Sequence, residues 1–359
     1  MTSSTSNDLS ATGPDLRVGI VGCGYWGEKH ARVFASHPLV QHVIAIDGRE
    51  PIRMRVKEAN PSISTASTLD SVIDELDAVV IATPPETHFE LAAAALSAGK
   101  HALVEKPMTT SSAQAYGLID LAERNGATLA AGHTFAHNAS ARKLADLASS
   151  GALGKLHHID AARLNLGLYR RDVNVIWDLA AHDISITHMI VGRRPDSVSA
   201  WGMTHTDDFG VDVASIRLSY EAENVDSVIR VSWLDPMKVR RTTVVGADKM
   251  AIYNDMRGDE QVKIMDRGRE RTAGAGSDTT DLSYRYGDVE APFINLREPL
   301  REQADDFIEA CLLGTTPVAD GHAGLDVVSV LEASDMSLAN NGLPVPLAEL
   351  TRPALAASA

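Results

Sequence analysis

The sequence predicts an α/β protein, with an N-terminal Rossmann doubly wound parallel sheet and a C-terminal α+β domain. The second domain is expected to carry a large, mostly antiparallel open sheet. Three observations support this. Apolar strand-like runs alternate with helical segments up to about residue 136. Beyond that point, strand-like stretches follow one another across short polar turns. A glycine cluster, Gly22, Gly24 and Gly27, separates the first strand from the first helix. Alternation argues for parallel βαβ units, and short links between consecutive strands argue for antiparallel pairing.

"LRVGIVGCG" is a short apolar run ending in glycine, as a buried parallel strand does. "EKHARVFASH" has helical spacing, with Ala31, Phe34 and Ala35 on one face. "VQHVIAIDG" is a second strand, and "IRMRVKEAN" a helix stopped before Pro61. "LDAVVIATPP" is a strand ended by a proline pair, and "THFELAAAALSAG" a helix with a glycine stop. "HALVEKP", the helix "SSAQAYGLIDLAERNG" and the strand "ATLAAGHTF" complete the alternation. A helix, "ASARKLADLASSGALG", opens the second part. The strands "LHHIDAARLN", "SVSAWGMTHT", "DVASIRLSY", "DSVIRVSWL", "RRTTVVGAD" and "KMAIYND" follow. Residues 254–297 are polar and read as an excursion. "REQADDFIEACLLG" and "AGLDVVSVLEASDMSL" close the chain as helices.

The 359 residues exceed one ordinary core. The expected division is a disordered polar tail over 1–14, a dinucleotide-binding domain over 15–136 and a substrate-binding domain over 137–359. The tail has no apolar stretch and does not read as a secretory signal. A formal charge of −15 with no Lys/Arg-rich run argues against a nucleic-acid partner. No apolar run approaches the roughly 20 residues of a membrane span. Cys23 and Cys311 are the only cysteines, far apart and without metal-ligand spacing, as expected of a cytoplasmic protein. No metal is expected.

The glycine cluster follows a strand, opens a helix, and has Asp47 twenty residues beyond Gly27. In a βαβ unit the first glycine makes the turn and the second admits a pyrophosphate. The third lets helix and strand pack closely, and the helix N-terminus faces the phosphate charge. Asp47 is placed to bond the ribose hydroxyls, which favours NAD over NADP; Arg49 beside it is the candidate partner of a 2′-phosphate. Tyr25 and Trp26, inside the cluster, join Gly22, Gly24, Gly27, Asp47 and Arg49 as cofactor candidates.

"VVIATPPETHFELAAAALSAGKHALVEKP" resembles the Gfo/Idh/MocA family of glucose-fructose oxidoreductase and inositol dehydrogenase relatives, over about residues 16–340. The resemblance implies that "ATPPETH", with Thr83, Pro84 and His88, meets the nicotinamide ribose and pyrophosphate region. "EKP" implies that Glu105 and Lys106 border the cofactor, that Lys106 is the active-site lysine, and that the bond before Pro107 is cis. Independently, Lys106 ends a predicted parallel strand, where such sheets place ligands. A lysine there can bond an alcohol oxygen and stabilise its charge.

In "NVIWDLAAHDISITHMI", Asp178 and His182 are spaced i, i+4 and share a helical face. They match the family's Asp-x-x-x-His pair. Histidine can take a hydroxyl proton and the carboxylate can orient substrate; a helix cap and a core histidine are the plain alternative. Arg163, Asn165, Tyr169, Arg170 and Asn174, with Arg171, are candidate substrate contacts. Solvated loop charges explain the loop members equally well. His133 and Asn138, near the C-terminal end of the fifth strand, are candidates to border the nicotinamide, with ordinary strand or cap packing the alternative. Trp201 and Trp233 fit a subunit contact through the sheet or a core location. The resemblance implies a homodimer or homotetramer through the C-terminal sheet.

The expected function is NAD(P)-dependent hydride transfer involving a secondary alcohol or ketone of a sugar, nucleotide-sugar or cyclitol. The alternatives are an NAD-dependent glycoside hydrolase of the same family and a non-catalytic NAD-binding sensor.

Overall fold

The computed structural model describes residues 16–167, 169–206, 210–272 and 281–350. The expected tail over 1–14 lies outside them. The first half runs β1 (Leu16–Val21), α1 (Tyr25–Ala35), β2 (Val40–Ile46), α2 (Glu50–Ala59), β3 (Ser64–Ala66), β4 (Ala78–Ile81), α3 (His88–Ser97), β5 (His101–Glu105), α4 (Ser112–Asn125) and β6 (Leu129–Gly132). It continues with α5 (Ala139–Ser149), β7 (Leu156–Leu166), α6 (Ala181–Val191), β8 (Ser197–Met203), β9 (Val213–Tyr220), β10 (Val225–Ser232), β11 (Leu234–Gly246) and β12 (Met250–Asn254). The chain ends with β13 (Val262–Thr272), β14 (Asp281–Glu290), α7 (Pro299–Leu313), α8 (Gly321–Ala339) and β15 (Val345–Pro346).

Two compact units result, and neither is contiguous. The first holds the chain up to Glu105, Gly117–Gly132 and Leu300–Gly321; the second holds Lys106–Tyr116, His133–Pro299 and the chain from His322. The expected single boundary at 136 is thus replaced by several crossings. The reason is α7, whose Leu300, Ala304, Phe307 and Ile308 join the core of Leu16, Val18, Phe34 and Leu103. Phe34 and Phe307 meet edge-to-face with centroids 6.4 Å apart. Phe307→Ala is expected to cost about 3–5 kcal/mol, read as a lower urea midpoint with an unchanged m-value.

In the first unit the parallel sheet has the order β3-β2-β1-β4-β5-β6. The direction of winding reverses at β1 and β4, so ligands are expected beyond the carboxyl ends of those strands. All four residues of β4 are fully buried, which is why "AVVI" reads as a continuous apolar run rather than an alternation. β3 escapes the sequence reading because its three residues, Ser-Thr-Ala, carry no apolar signal.

The second unit is built on a nine-stranded sheet, β14-β13-β12-β11-β7-β10-β9-β8-β15. β7 and β10 pair in parallel, and the other named pairs are antiparallel. Ile159, Val244 and Tyr253 of the sheet pack with Leu144 of α5 and Ile186 of α6. Residues 254–297 correct the expected excursion, because they hold the hairpin of β13 and β14, paired from Ile264↔Glu290 to Thr272↔Asp281. Its strands are rich in Arg, Asp and Gly because much of the hairpin faces water. Apolar alternation is confined to short stretches, Val262 and Ile264 in β13 and Leu282, Tyr284 and Tyr286 in β14, set among charged residues.

Candidate functional site

The first unit carries the glycine loop and the residues around it. Gly22 has φ +85°, and a Cβ there would stand 2.8 Å from the Ala82 carbonyl oxygen. A Cβ on Gly27 would stand 1.8 Å from the Gly22 carbonyl oxygen, so the start of α1 lies directly on the loop. Gly24 is different, since a Cβ there would meet nothing within 4 Å. It immediately precedes α1 and has no side chain to cap the helix. The first-turn N–H groups therefore keep their hydrogen-bonding capacity and positive end for an anion.

Asp47 follows β2 and is buried. Its Oδ2 accepts from the Cys23 N–H at 3.0 Å, tying the acid to the glycine loop. Oδ1 accepts from the Arg49 N–H at 2.9 Å and Nε at 3.1 Å, and Oδ2 from Arg49 Nη2 at 3.1 Å. Burial alone would raise the carboxyl pKa, but these bonds outweigh it and hold the group below its ordinary range. Arg49, with a side chain 70% exposed, lies across Asp47 and is able to leave it.

Around Thr83 the loop is closed by its own bonds. His88 Nε2 donates to the Thr83 carbonyl oxygen at 2.9 Å, and the Thr87 hydroxyl donates within 2.8 Å of Thr83 Oγ1 and the Pro84 oxygen. His88 is buried, so it shapes this loop; Pro84 is exposed on it. Glu105 is also buried, with Oε1 2.8 Å from His30 Nε2. Tyr25 and Trp26 are exposed and meet edge-to-face at 5.5 Å, with Lys29 Nζ 4.5 Å from the Tyr25 ring centre. Gly22, Gly24, Gly27, Asp47 and Thr83 thus gather around one loop, and the donor set fits a pyrophosphate and a ribose diol.

The second unit carries Lys106, Asp178 and His182. The Lys106–Pro107 peptide is cis. Lys106 Nζ donates to the Asp178 carbonyl oxygen at 2.7 Å and lies 3.5 Å from its Oδ1. Asp178 sits in a π turn, Ile176–Ala180, that runs into α6 at Ala181. The expected regular helix is therefore widened at this residue, a departure common at functional positions. Asp178 Oδ2 accepts from Trp233 Nε1 at 3.1 Å, and Arg170 Nη1 lies 3.4 Å from Oδ1.

His182 follows in the first turn of α6, its ring 5.0 Å from that of Phe135. Its Nδ1 is buried with no hydrogen-bond partner among the described residues. Desolvation first, and then the charges of Lys106 and Arg163, hold its pKa well below the ordinary 6.5. Burial and the nearby cations thus favour the neutral ring, and its Nδ1 is left for a partner from outside the described residues.

Two expected substrate contacts are corrected. Arg163 is buried and forms a two-pronged ion pair with Asp183, at 2.7 and 3.2 Å, under the Phe135 ring. The Phe135 ring that its guanidinium meets also neighbours the His182 ring. Asn174 caps the π turn, accepting from the Ile176 and Trp177 N–H groups at 3.0 and 3.2 Å. Asn138 likewise is the cap of α5, with its side chain accepting from Ser140 and Ala141. Arg170 bonds both Asp172 and Asp178, beside the site. Tyr169 packs on Trp233 at 5.3 Å and donates to Asp212 Oδ2 at 3.3 Å. Asn165 lies near the end of β7, partly buried, and Arg171 is exposed on the loop.

Trp233 and Phe135 are the residues that sequence spacing does not reveal. Trp233 is buried and bonds the candidate catalytic carboxylate, whereas Trp201 is half exposed on β8. Only the pairing of β10 with β7 and β9 brings Trp233, just past β10, to Asp178. Among the described residues no group of three or more His, Cys, Asp or Glu side chains is arranged to hold a metal.

Residues 16–133 match the oxidoreductase family model with an NAD-binding Rossmann fold, and residues 141–252 match the GFO/IDH/MocA C-terminal domain. The chain belongs to the Gfo/Idh/MocA family. It is an oxidoreductase with an NAD-binding domain. The UDP-N-acetylglucosamine 3-dehydrogenase of Acidithiobacillus ferrooxidans is 26% identical over 318 residues, covering 88% of this chain and 94% of that protein. Its solved structure superposes with a TM-score of 0.73, covering 94% and 99% of the two chains. A myo-inositol 2-dehydrogenase of Thermotoga maritima is 23% identical over 323 residues, covering 86% and 92%. GenD2, from gentamicin A biosynthesis and solved in complex with NAD, shares the fold with a TM-score of 0.77 at 23% identity, covering 93% and 97%.

Proposed function

We propose that this Gfo/Idh/MocA oxidoreductase acts in the cytoplasm on a secondary alcohol, or the matching ketone, of a sugar, nucleotide-linked sugar or cyclitol. The observation that carries the reading is the meeting of Lys106 Nζ with the Asp178 carbonyl oxygen at 2.7 Å, one helical turn from a neutral His182. The activities named for the 26%- and 23%-identical relatives, a UDP-sugar and an inositol dehydrogenase, support the substrate class.

NAD, when bound, supplies the acceptor or donor of the hydride. Gly22, Gly24 and the α1 N-terminus would hold its pyrophosphate, and Asp47 would bond the adenosine ribose in place of the exposed Arg49. Lys106 donates a hydrogen bond to the substrate oxygen and stabilises the charge that grows there. His182 takes the hydroxyl proton during oxidation and returns it during reduction. Asp178, aimed by Trp233, orients the substrate and balances Lys106. Asp47 favours NAD over NADP, because its carboxylate repels a 2′-phosphate. A homodimer or homotetramer through the nine-stranded sheet accompanies this reading, with Trp201 and Met203 exposed on β8 as its apolar contacts.

The test is absorbance at 340 nm with sugars, UDP-sugars and inositols, each with NAD and NADP and in both directions. Turnover of a sugar, UDP-sugar or inositol with NAD supports the reading. NAD binding without turnover of any alcohol or ketone overturns it. The His182 pKa adds a pH prediction. A lowered pKa moves protonation of the base to lower pH, so the acidic limb of kcat/KM for oxidation is expected below pH 6.5. His182→Asn removes that limb along with most of the rate.

A further inference from the structure

The residues that meet at this site come from distant parts of the chain, and α8 grips both of them. Glu332 and Asp335 lie three residues apart on α8, so they project from one face about a turn apart. Glu332 Oε2 accepts from the Ser112 N–H at 2.9 Å and from its hydroxyl at 2.5 Å. Ser112 opens α4, six residues beyond Lys106. Asp335 Oδ1 accepts from Asn174 Nδ2 at 3.0 Å, and Oδ2 from Trp177 Nε1 at 2.6 Å. Asn174 caps the π turn, and Trp177 immediately precedes Asp178 within it.

We infer that Glu332 and Asp335 are positioning residues, which fix the Lys106 segment and the Asp178 turn at the spacing where lysine and carbonyl meet. The physical need is clear. A lysine side chain is a flexible stem with a point charge, so its placement depends on its backbone and its acceptor being fixed. Ser112 is held by one carboxylate, and the residue that caps the π turn, Asn174, and Trp177 within the turn are held by the other. Carboxylates suit the task because bonds from N–H and O–H donors to an ionised acceptor are short and strong. α8 is itself anchored by the buried Leu331, Ala333, Ser334 and Ser337, so the two grips share one rigid base. A misplacement of about 1 Å at such a site costs on the order of 100-fold in rate.

The effect on rate rests on the dehydrogenase reading; the effect on lysine placement does not. Wild type, Asp335→Ala, Asp335→Asn, Glu332→Gln and Trp177→Phe would be compared by steady-state kinetics, NADH titration and limited acetylation with acetic anhydride read by mass spectrometry. Asp335→Ala is expected to lower kcat about 100-fold with KM and NADH affinity held within about threefold. Lys106 should acetylate severalfold faster relative to exposed Lys57, because its anchor has loosened. Asp335→Asn, which keeps one acceptor oxygen, should recover much of the rate, and Trp177→Phe should fall between. Glu332→Gln should show a smaller loss of the same kind, because its amide oxygen still accepts from Ser112.

A drop in melting temperature alone, with kcat per folded molecule and Lys106 labelling unchanged, overturns the inference. So does a rise in KM at constant kcat. If Asp335→Ala does not fold, Trp177→Phe carries the same comparison with the indole's bond removed and its bulk largely kept. If the wild type turns over no sugar, the dehydrogenase reading fails, while Lys106 acetylation still decides the positioning role.

Discussion

Lys106→Met is expected to lower kcat/KM by about 10³–10⁴-fold while leaving NADH affinity within about threefold. Methionine keeps most of the lysine stem, and the side chain is only 10% exposed, so the packing largely survives. What disappears is the ammonium that bonds the Asp178 carbonyl oxygen at 2.7 Å and stands beside its carboxylate. Trp233 and Arg170 still meet that carboxylate, so the fold does not inherit an uncompensated charge. The loss falls on the transition state, where negative charge on the substrate oxygen is greatest. Lys106→Arg should not rescue it, because a planar guanidinium is broader than the point charge it replaces. Steady-state rates and fluorescence titration with NADH check both halves. A rate within fivefold of wild type would remove Lys106 from the chemistry, and a parallel loss of NADH affinity would make it a cofactor ligand instead.

The parts of this molecule that were legible in the sequence are those whose cause is local. Gly22 is required by its own φ of +85°, and Gly27 by its approach to the loop five residues earlier, so both show in a short motif. β4 shows because both faces are buried. Lys106, Asp178 and His182 stand out in the sequence as chemically capable residues near the ends of predicted elements. Their actual neighbours do not. Trp233 lies 55 residues from Asp178, and the Asp335 bonds span 158 and 161 residues, so no window along the chain contains both ends. Arg163 illustrates the opposite error. A charged residue on a strand suggests a ligand contact when its partner Asp183, on another element, is out of sight. α7 crosses back to the first unit for a similar reason, because its amphipathic pattern announces a buried face but not which core receives it.

Asp47 and Arg49 show how a site can be satisfied and still poised. Both carboxylate oxygens are engaged by Arg49, yet that side chain is mostly in solvent, where water screens an ion pair and weakens its hold. A ribose diol offering two hydroxyls can therefore displace the guanidinium without opening the fold. The Cys23 N–H, by contrast, stays on Oδ2 and keeps the acid fixed against the glycine loop.

Gly27→Ala and Gly24→Ala are expected to separate packing from ligand approach within one loop. The Cβ introduced by Gly27→Ala would stand 1.8 Å from the Gly22 carbonyl oxygen, a backbone atom that cannot rotate away. Gly22 is held in turn by its N–H bond to the Ile46 carbonyl oxygen at 2.8 Å and by its left-handed φ. Relief must come from α1 moving off β1 by more than about 1 Å on ordinary van der Waals grounds. Since α1 buries Ala31, Val33 and Phe34, that movement opens the core, and a loss of about 2–4 kcal/mol follows. NADH affinity falls with it, because the helix end leaves its place. The methyl added by Gly24→Ala meets nothing within 4 Å, so this variant keeps a melting temperature near that of wild type. The same methyl stands where a pyrophosphate must approach the backbone, and NADH affinity should drop at least about tenfold, or about 1.4 kcal/mol. Thermal unfolding and NADH titration on the two variants read these effects separately. Wild-type NADH affinity in Gly24→Ala would mean that the dinucleotide does not pass over this loop. The open space at Gly24 would then belong to the turn rather than to a ligand.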